Sequence, residues 1–327
     1  MGLLDFQLGV KTESTYGTGV VVDRFFEYDS ENIEDTYGRT EGDPLRAGGY
    51  GVRRSDRFTP YFSGAAGSVT IPVMTKGFGW WLAHMLGGTA TTGPAETTVY
   101  THTGTLGELY GKSFTAQVNR PLSPAGTNQA VTFAGGKVTE WTLSNTVEDL
   151  LVAELGLDFQ STTTATALAT ASYPAGMENL TWAGAVVTVS GSSFDVTEFS
   201  VSGNNGYDVD RRQLRGNTAK KEPLSGRREI TWSMKADFDS VANRNRAAST
   251  TATGALAAIT ATWTGPTLLG STIYPSLAVS IPAARFDAWK AATEGVEAIE
   301  QELSGVGLFD GTNSACTITY KSADTTA

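Results

Sequence analysis

Two histidines, His84 and His102, and one cysteine, Cys316, are the only side chains among these 327 residues suited to act as a neutral-pH base, a soft metal ligand or a thiol nucleophile. Their spacing assembles no chemistry. A zinc site needs three or four such ligands in close array, and two distant histidines with a single cysteine do not supply it. His84 stands in Trp80-Trp81-Leu82-Ala83-His84-Met85-Leu86, an apolar helical stretch, and reads as a packing residue. His102, in Tyr100-Thr101-His102-Thr103, reads as a strand or loop edge. Cys316, in an alternating run, reads as a buried strand residue. No Gly-x-Ser-x-Gly turn presents an activated serine, and no Gly-x-x-x-x-Gly-Lys-Ser/Thr loop cradles a phosphate. Acid pairs that could cleave glycosides abound among 34 Asp and Glu residues, but no pair stands out. No catalytic residue, cofactor or metal is expected, and the chain reads as a non-enzyme.

The charged residues carry more information. Arg39, Arg46, Arg53, Arg54 and Arg57 cluster in or beside a Gly-rich stretch, 40–67, with no clear period. A second cluster, Arg211, Arg212, Arg215, Lys220, Lys221, Arg227 and Arg228, lies in and just after 203–226. In a chain of net charge −10 such clusters polarise the surface. One reading is a solvated loop. The preferred one is contact with an acidic patch on a neighbouring copy, which sets register and orientation more than raw affinity. Within 25–33, Glu27, Asp29 and Glu31 share one face of a strand, with Phe26 and Tyr28 on the other. Three carboxylates on one face must meet water. They fit an ordinary outer surface, or an aqueous lumen that repels phosphate. The acidic balance, with a pI near 4.8, disfavours tight DNA binding.

The elements that would position these residues are mainly strands. Runs rich in Val, Thr and aromatics alternate at 68–73, 113–118, 137–143, 151–159, 186–189, 194–201, 229–234 and 315–320, separated by Gly, Pro and Asn. A further strand is expected over 25–33, entered from Val20-Val21-Val22. Helices are expected over 77–86 and 240–248, the second opened by Asp237-Phe238-Asp239-Ser240, with a weaker third over 285–293. No apolar run approaches the ~20 residues of a membrane span, and Met1-Gly2-Leu3-Leu4-Asp5 does not read as a secretory signal.

The Thr/Ala/Ser-rich stretch 161–176 reads as a linker between a first unit, 1–160, and a second, 177–327. The two halves look alike. Each runs strand, basic loop, strand and helix. The passage from Phe133 to Trp141 (FAGGKVTEW) can be laid against that from Ile281 to Trp289 (IPAARFDAW), which conflicts with a helix over 285–293. An internal duplication accounts for this, with loop indels absorbing the drift in spacing.

Glu13-Ser14-Thr15-Tyr16-Gly17-Thr18 followed by Phe25-Phe26-Glu27-Tyr28 resembles the N-terminus of the major tail tube proteins of long-tailed bacteriophages. Arg211-Arg212-Gln213-Leu214-Arg215-Gly216, then Gly226-Arg227-Arg228-Glu229-Ile230-Thr231 and Ala236-Asp237-Phe238-Asp239-Ser240, resembles that family's strand, long loop, strand and helix. The resemblance implies two antiparallel sheets packed as a sandwich with a flanking helix, which with the duplication makes two tandem β-sandwich units, and inner sheets that join edge to edge into a barrel. It implies stacked rings forming a tube in the virion, assembled in the host cytoplasm, through which DNA passes without specific binding. It also implies end partners: a tape-measure protein, a tail terminator and a distal tail protein. The segment 2–18 would make inter-subunit contacts. With a duplicated chain, a trimer of pseudo-sixfold symmetry is favoured over a hexamer. The alternatives are another tail part, such as a terminator or baseplate component, and a carbohydrate-binding adhesin suggested by seven tryptophans. Trp141, Trp182 and Trp232 read as core residues instead.

Overall fold

The computed structural model describes residues 6–42, 52–96, 98–122, 127–291 and 299–326. The first half contains β1 (Leu8–Thr12), β2 (Arg24–Phe26), β3 (Ser30–Glu31), β4 (Glu34–Glu41) and β5 (Phe58–Pro72). Helix α1 (Gly79–Met85) and the hairpin β6 (Gly87–Ala95) and β7 (Val99–Leu106) follow. Then come β8 (Phe114–Asn119), β9 (Ala130–Thr146), β10 (Val152–Phe159) and β11 (Ser161–Thr163). The second half contains β12 (Ala185–Val189), β13 (Ser192–Ser193), β14 (Val196–Asn204) and β15 (Glu229–Asp237), then α2 (Ala242–Ala247). It ends with β16 (Leu256–Thr264), β17 (Ser276–Ala291), β18 (Glu300–Gly307) and β19 (Thr317–Ser322).

All strand pairs are antiparallel, and they build a β-sandwich. One long ladder runs β4–β5–β10–β9–β14–β15–β18–β17. Two further ladders pack behind it, β2–β1–β8–β9–β11 and β13–β12–β16–β17–β19–β7–β6. Strands β9 and β17 belong to both layers. The N-terminal part of β9 pairs with β8 and its C-terminal part with β10, and β17 does the same with β16 and β18. The core lies between the layers. Trp81, Phe114, Phe133, Trp141 and Phe159 fill the first half, and Trp232, Trp263 and Phe286 the second. Each such side chain contributes ~1.5–3 kcal/mol on burial.

The halves share one strand order. The ladder β1–β8–β9–β10–β5–β4 matches β12–β16–β17–β18–β15–β14, with a helix after β5 and after β15. The registers match in detail. Strand β9 bulges opposite Thr115, at Ala134-Gly135, and again at Thr139. Strand β17 bulges opposite Ala258, at Pro282-Ala283, and again at Asp287. These are the positions that the two sequence passages set against each other. A bulge bends and twists its strand, which lets β9 and β17 turn from one layer into the other.

Several expectations change. Residues 285–291 form strand, not helix: they continue β17 and pair with β18, and the cross-strand partner outweighs a weak helical pattern. Within the expected loop 40–67, β4 and β5 pair as a hairpin arm from Glu34–Ala66 out to Glu41–Phe58, and residues 43–51 lie outside the described residues. Residues 25–33 are broken between β2 and β3, and 20–22 are not strand. The helices α1 and α2 begin two residues inside their expected starts. The stretch 161–176 is docked as well as connecting: Gln117 Nε2 donates to the Ala167 carbonyl at 3.0 Å, and Gln7 Nε2 to that of Ala169 at 2.9 Å. Trp182 is 45% exposed rather than core.

Candidate functional site

The two histidines take structural positions. His84 is buried on α1, with Nε2 3.3 Å from Thr12 Oγ1, which also accepts a hydrogen bond from Trp80 Nε1. Burial, helped by the Lys137 charge, holds its pKa down at about 3. His102 lies between Thr91 and the Asp324 carbonyl, at 3.0 Å from each, and burial lowers its pKa. The buried Cys316 thiol is pushed up to about 12. Among the described residues no group of three His, Cys, Asp or Glu could hold a metal ion.

The second basic cluster folds back onto the first half of its own chain. Lys220 Nζ meets Asp158 Oδ1 at 2.6 Å with both side chains buried. Glu222 from the same loop meets the buried Lys137 at 2.5 Å. Arg228 caps the end of α1, where helix carbonyls lack intrahelical partners. It donates to the carbonyls of Met85 and Leu86 at 3.1 and 2.9 Å. Arg211 donates to the Glu222 carbonyl, Arg212 to Ser63, and Arg215 to the Ala219 and Lys220 carbonyls. Lys221 is half-buried and Arg227 exposed. Burial lowers the pKa of Lys137 and Arg228 and raises that of Asp158, opposed at Asp158 by Lys220.

The first cluster stays on the surface. Arg39 lies over the Phe58 ring at 5.9 Å. Arg53 pairs with Glu41 at 2.5 Å and Arg54 with Asp56 at 2.9 Å, all solvent-exposed. Arg57 is exposed. Arg46 lies outside the described residues. The hairpin arm of β4 and β5 thus projects its charges outward, whereas the corresponding β14–β15 loop turns Lys220, Glu222 and Arg212 onto the first half of the chain.

The front face of the long ladder is polar and faces away from the core. Ser68, Glu140, Thr142, Glu154, Ser202, Asn204, Glu229 and Thr231 line a shallow depression across its middle strands. Glu27 and Asp29 are exposed between β2 and β3. Glu31 instead turns to the ladder's edge, where it accepts two hydrogen bonds from Arg120, at 2.9 and 2.7 Å. Among the described residues the ladder has two outer edges. One is β4, which is paired only to β5. The other is the C-terminal end of β17, Ala288–Ala291, which is paired only to β18.

Sequence reasoning missed Glu13, Lys137 and Asp158. Glu13 is buried and accepts hydrogen bonds from Ser113 Oγ, Thr115 Oγ1 and the Gly135 N–H, each at 2.8 Å, and from the Gly17 N–H at 3.0 Å. It thereby pins the segment after β1 to the first bulge of β9, where Gly135 has φ of +73°. The motif holding Glu13 was visible, but its bonds all run inward to its own chain. For Lys137 and Asp158 the available signal was a lone charge inside an alternating apolar strand.

Against known families, the chain matches the one described as "Phage tail tube protein" over residues 5–306. No curated protein matches it.

Proposed function

The chain belongs to the phage tail tube protein family and is a structural tail tube protein of the virion; from that premise we propose that three copies close into a ring, and that rings stack into the hollow tube that passes DNA. The observation that carries this reading is the repeated strand order with its paired bulges. It fits a chain of two tandem tube-fold units, so that three chains supply six. Each chain brings an eight-stranded ladder with an open edge at either end, β4 and β17. Unpaired edges are costly to leave exposed, and closure into a barrel removes them.

The polar front of the ladder faces the lumen in this reading. Glu140, Glu154 and Glu229 would line it beside small hydroxyl side chains. Negative charge there repels phosphate, so a duplex slides without sticking. The exposed arginines of the β4–β5 arm contact a neighbouring copy, and complementary charge sets their register. Assembly takes place in the host cytoplasm, with a tape-measure protein, terminator and distal tail protein as end partners.

Electron microscopy of the purified protein at rising concentration tests the reading. Hollow tubes whose averaged end views repeat three times, with six similar lobes, are expected. Six identical copies per ring would remove the tandem reading, and closed rings that never lengthen would point to a terminator.

A further inference from the structure

Inside each chain the two halves are already joined edge to edge, and that seam is a template. Strand β9 pairs with β14 in the register Trp141–Gly203, Thr142–Ser202 and Leu143–Val201. The Asn205 N–H donates to the Thr139 carbonyl and the Val147 N–H to the Thr197 carbonyl. By alternation Leu143 and Val201 therefore exchange backbone hydrogen bonds, while Thr142 and Ser202 face each other across the seam. Their hydroxyls lie 2.8 Å apart.

The ladder registers carry this seam over to the outer edges. The bulges at Thr139 and Asp287 align Thr142 with Lys290 and Leu143 with Ala291. Following the pairs through β10 and β5, and through β18 and β15, aligns Ser202 with Glu34 and Val201 with Ile33.

We propose that β17 of one copy pairs antiparallel with β4 of the next in the register Trp289–Asp35, Lys290–Glu34 and Ala291–Ile33. This rests on the ring reading above and names the edges and register that close it. Two observations support it independently of the strand order. The hydroxyl pair of the inner seam is replaced by two exposed side chains of opposite charge, Lys290 and Glu34, which attract when set directly opposite.

The second observation is an edge cap. Glu31 Oε2 accepts from the Ile33 N–H at 3.1 Å, and Arg120 Nη2 donates to the Ile33 carbonyl at 2.6 Å. These are the two backbone groups that Ala291 would engage. The registers place Phe199 and Trp263 of the second half where Glu31 and Arg120 stand in the first. There Trp263 is buried against Phe199, ring centroids 5.9 Å apart, and donates to Asn145 of β9 at 2.9 Å. The permanent seam thus carries an aromatic pair. The open edge carries a water-tolerant ion pair that occupies the edge groups of Ile33 until a neighbouring strand takes them over. Charged groups at an edge are a general guard against unwanted pairing.

Cysteine cross-linking tests the register. E34C/K290C in assembled tubes, mildly oxidised, should give covalent species of up to three chains on a non-reducing gel. E34C/A288C, two residues out of register, should stay largely monomeric. Separately, K290E should raise the concentration needed for tubes several-fold, and K290E/E34K should restore it. Tubes in which E34C/K290C remains unlinked, or in which only the offset pair links, overturn this register while leaving the tube reading intact. A protein that forms no tubes at any concentration overturns the tube reading, and this inference with it.

Discussion

His84 packs between Trp80 and Phe114, with ring centroids 4.3 and 5.0 Å away. A protonated ring there would be charged without water, and Lys137 adds like charge. The folded chain therefore keeps it neutral, with a pKa of about 3 against an ordinary 6.5. The sign follows from linkage. A depressed histidine contributes stability that is fully present above pH 6.5 and is lost as pH falls toward the folded value. Each pH unit below 6.5 costs roughly 1.4 kcal/mol. Between pH 6.5 and 5.0 the wild-type chain should lose about 2 kcal/mol through this residue, measured by urea unfolding. His84→Leu should flatten that slope whatever it does to the absolute stability. An unchanged slope in the variant would remove His84 as the titrating group. The sequence placed His84 correctly as packing, because its neighbours along the helix are all apolar. It could not reveal the depressed pKa, which depends on Phe114 and Lys137 arriving from β8 and β9.

At the scale of elements, the β14–β15 loop shows the limit of reading charge from sequence. Seven cations in and after 203–226 look like a surface patch meant for a neighbour. Several instead complete the first half of the same chain, since Asp158 and the end of α1 are buried polar groups that need partners. Nothing local marks those partners. A buried pair left half-made is expensive, whereas an apolar replacement of both members is often nearly neutral. Lys220→Met should thus destabilise the chain by about 3–5 kcal/mol, and Lys220→Met with Asp158→Leu should recover most of it. Calorimetric melting of the two variants checks this, and a double variant no better than the single one would show that Asp158 is not the group left stranded. Elsewhere legibility followed burial. The passages 133–141 and 281–289 could be matched because both bury bulky apolar side chains at corresponding positions, Phe133 with Ile281 and Val138 with Phe286. The β4–β5 arm and strand β6 escaped notice because both are largely exposed, so no face of theirs imposes a period. The arm's charges also pair among themselves, as Arg53 with Glu41 and Arg54 with Asp56, which a count of cations does not show.

For the whole molecule, the question is what the covalent joining of two halves achieves. Among the contacts that cross between them are the β9–β14 seam, the β7–β19 pairing and the folded-back loop. Together they supply partners to groups of the first half: Glu222 to Lys137, Lys220 to Asp158 and Arg228 to the Met85 carbonyl. We expect the first half not to fold as an independent domain, despite its own strand order and helix. Tethering makes their union intramolecular at high effective concentration, so that in the proposed ring only three of six seams remain to be formed between chains. Residues 1–160 expressed alone should fail to give a cooperative unfolding transition, because Lys137, Asp158 and the carbonyls ending α1 lose Glu222, Lys220 and Arg228. Co-expressed with 177–327, they should copurify as a one-to-one complex that melts as a unit, weakened by the lost tether and the severed segment on Gln7 and Gln117. The check is size-exclusion chromatography with denaturant unfolding of each half and of the pair. A first half that folds cooperatively by itself would mean that the crossing contacts are accessory, and that the chain is two tube units side by side rather than one interlocked body.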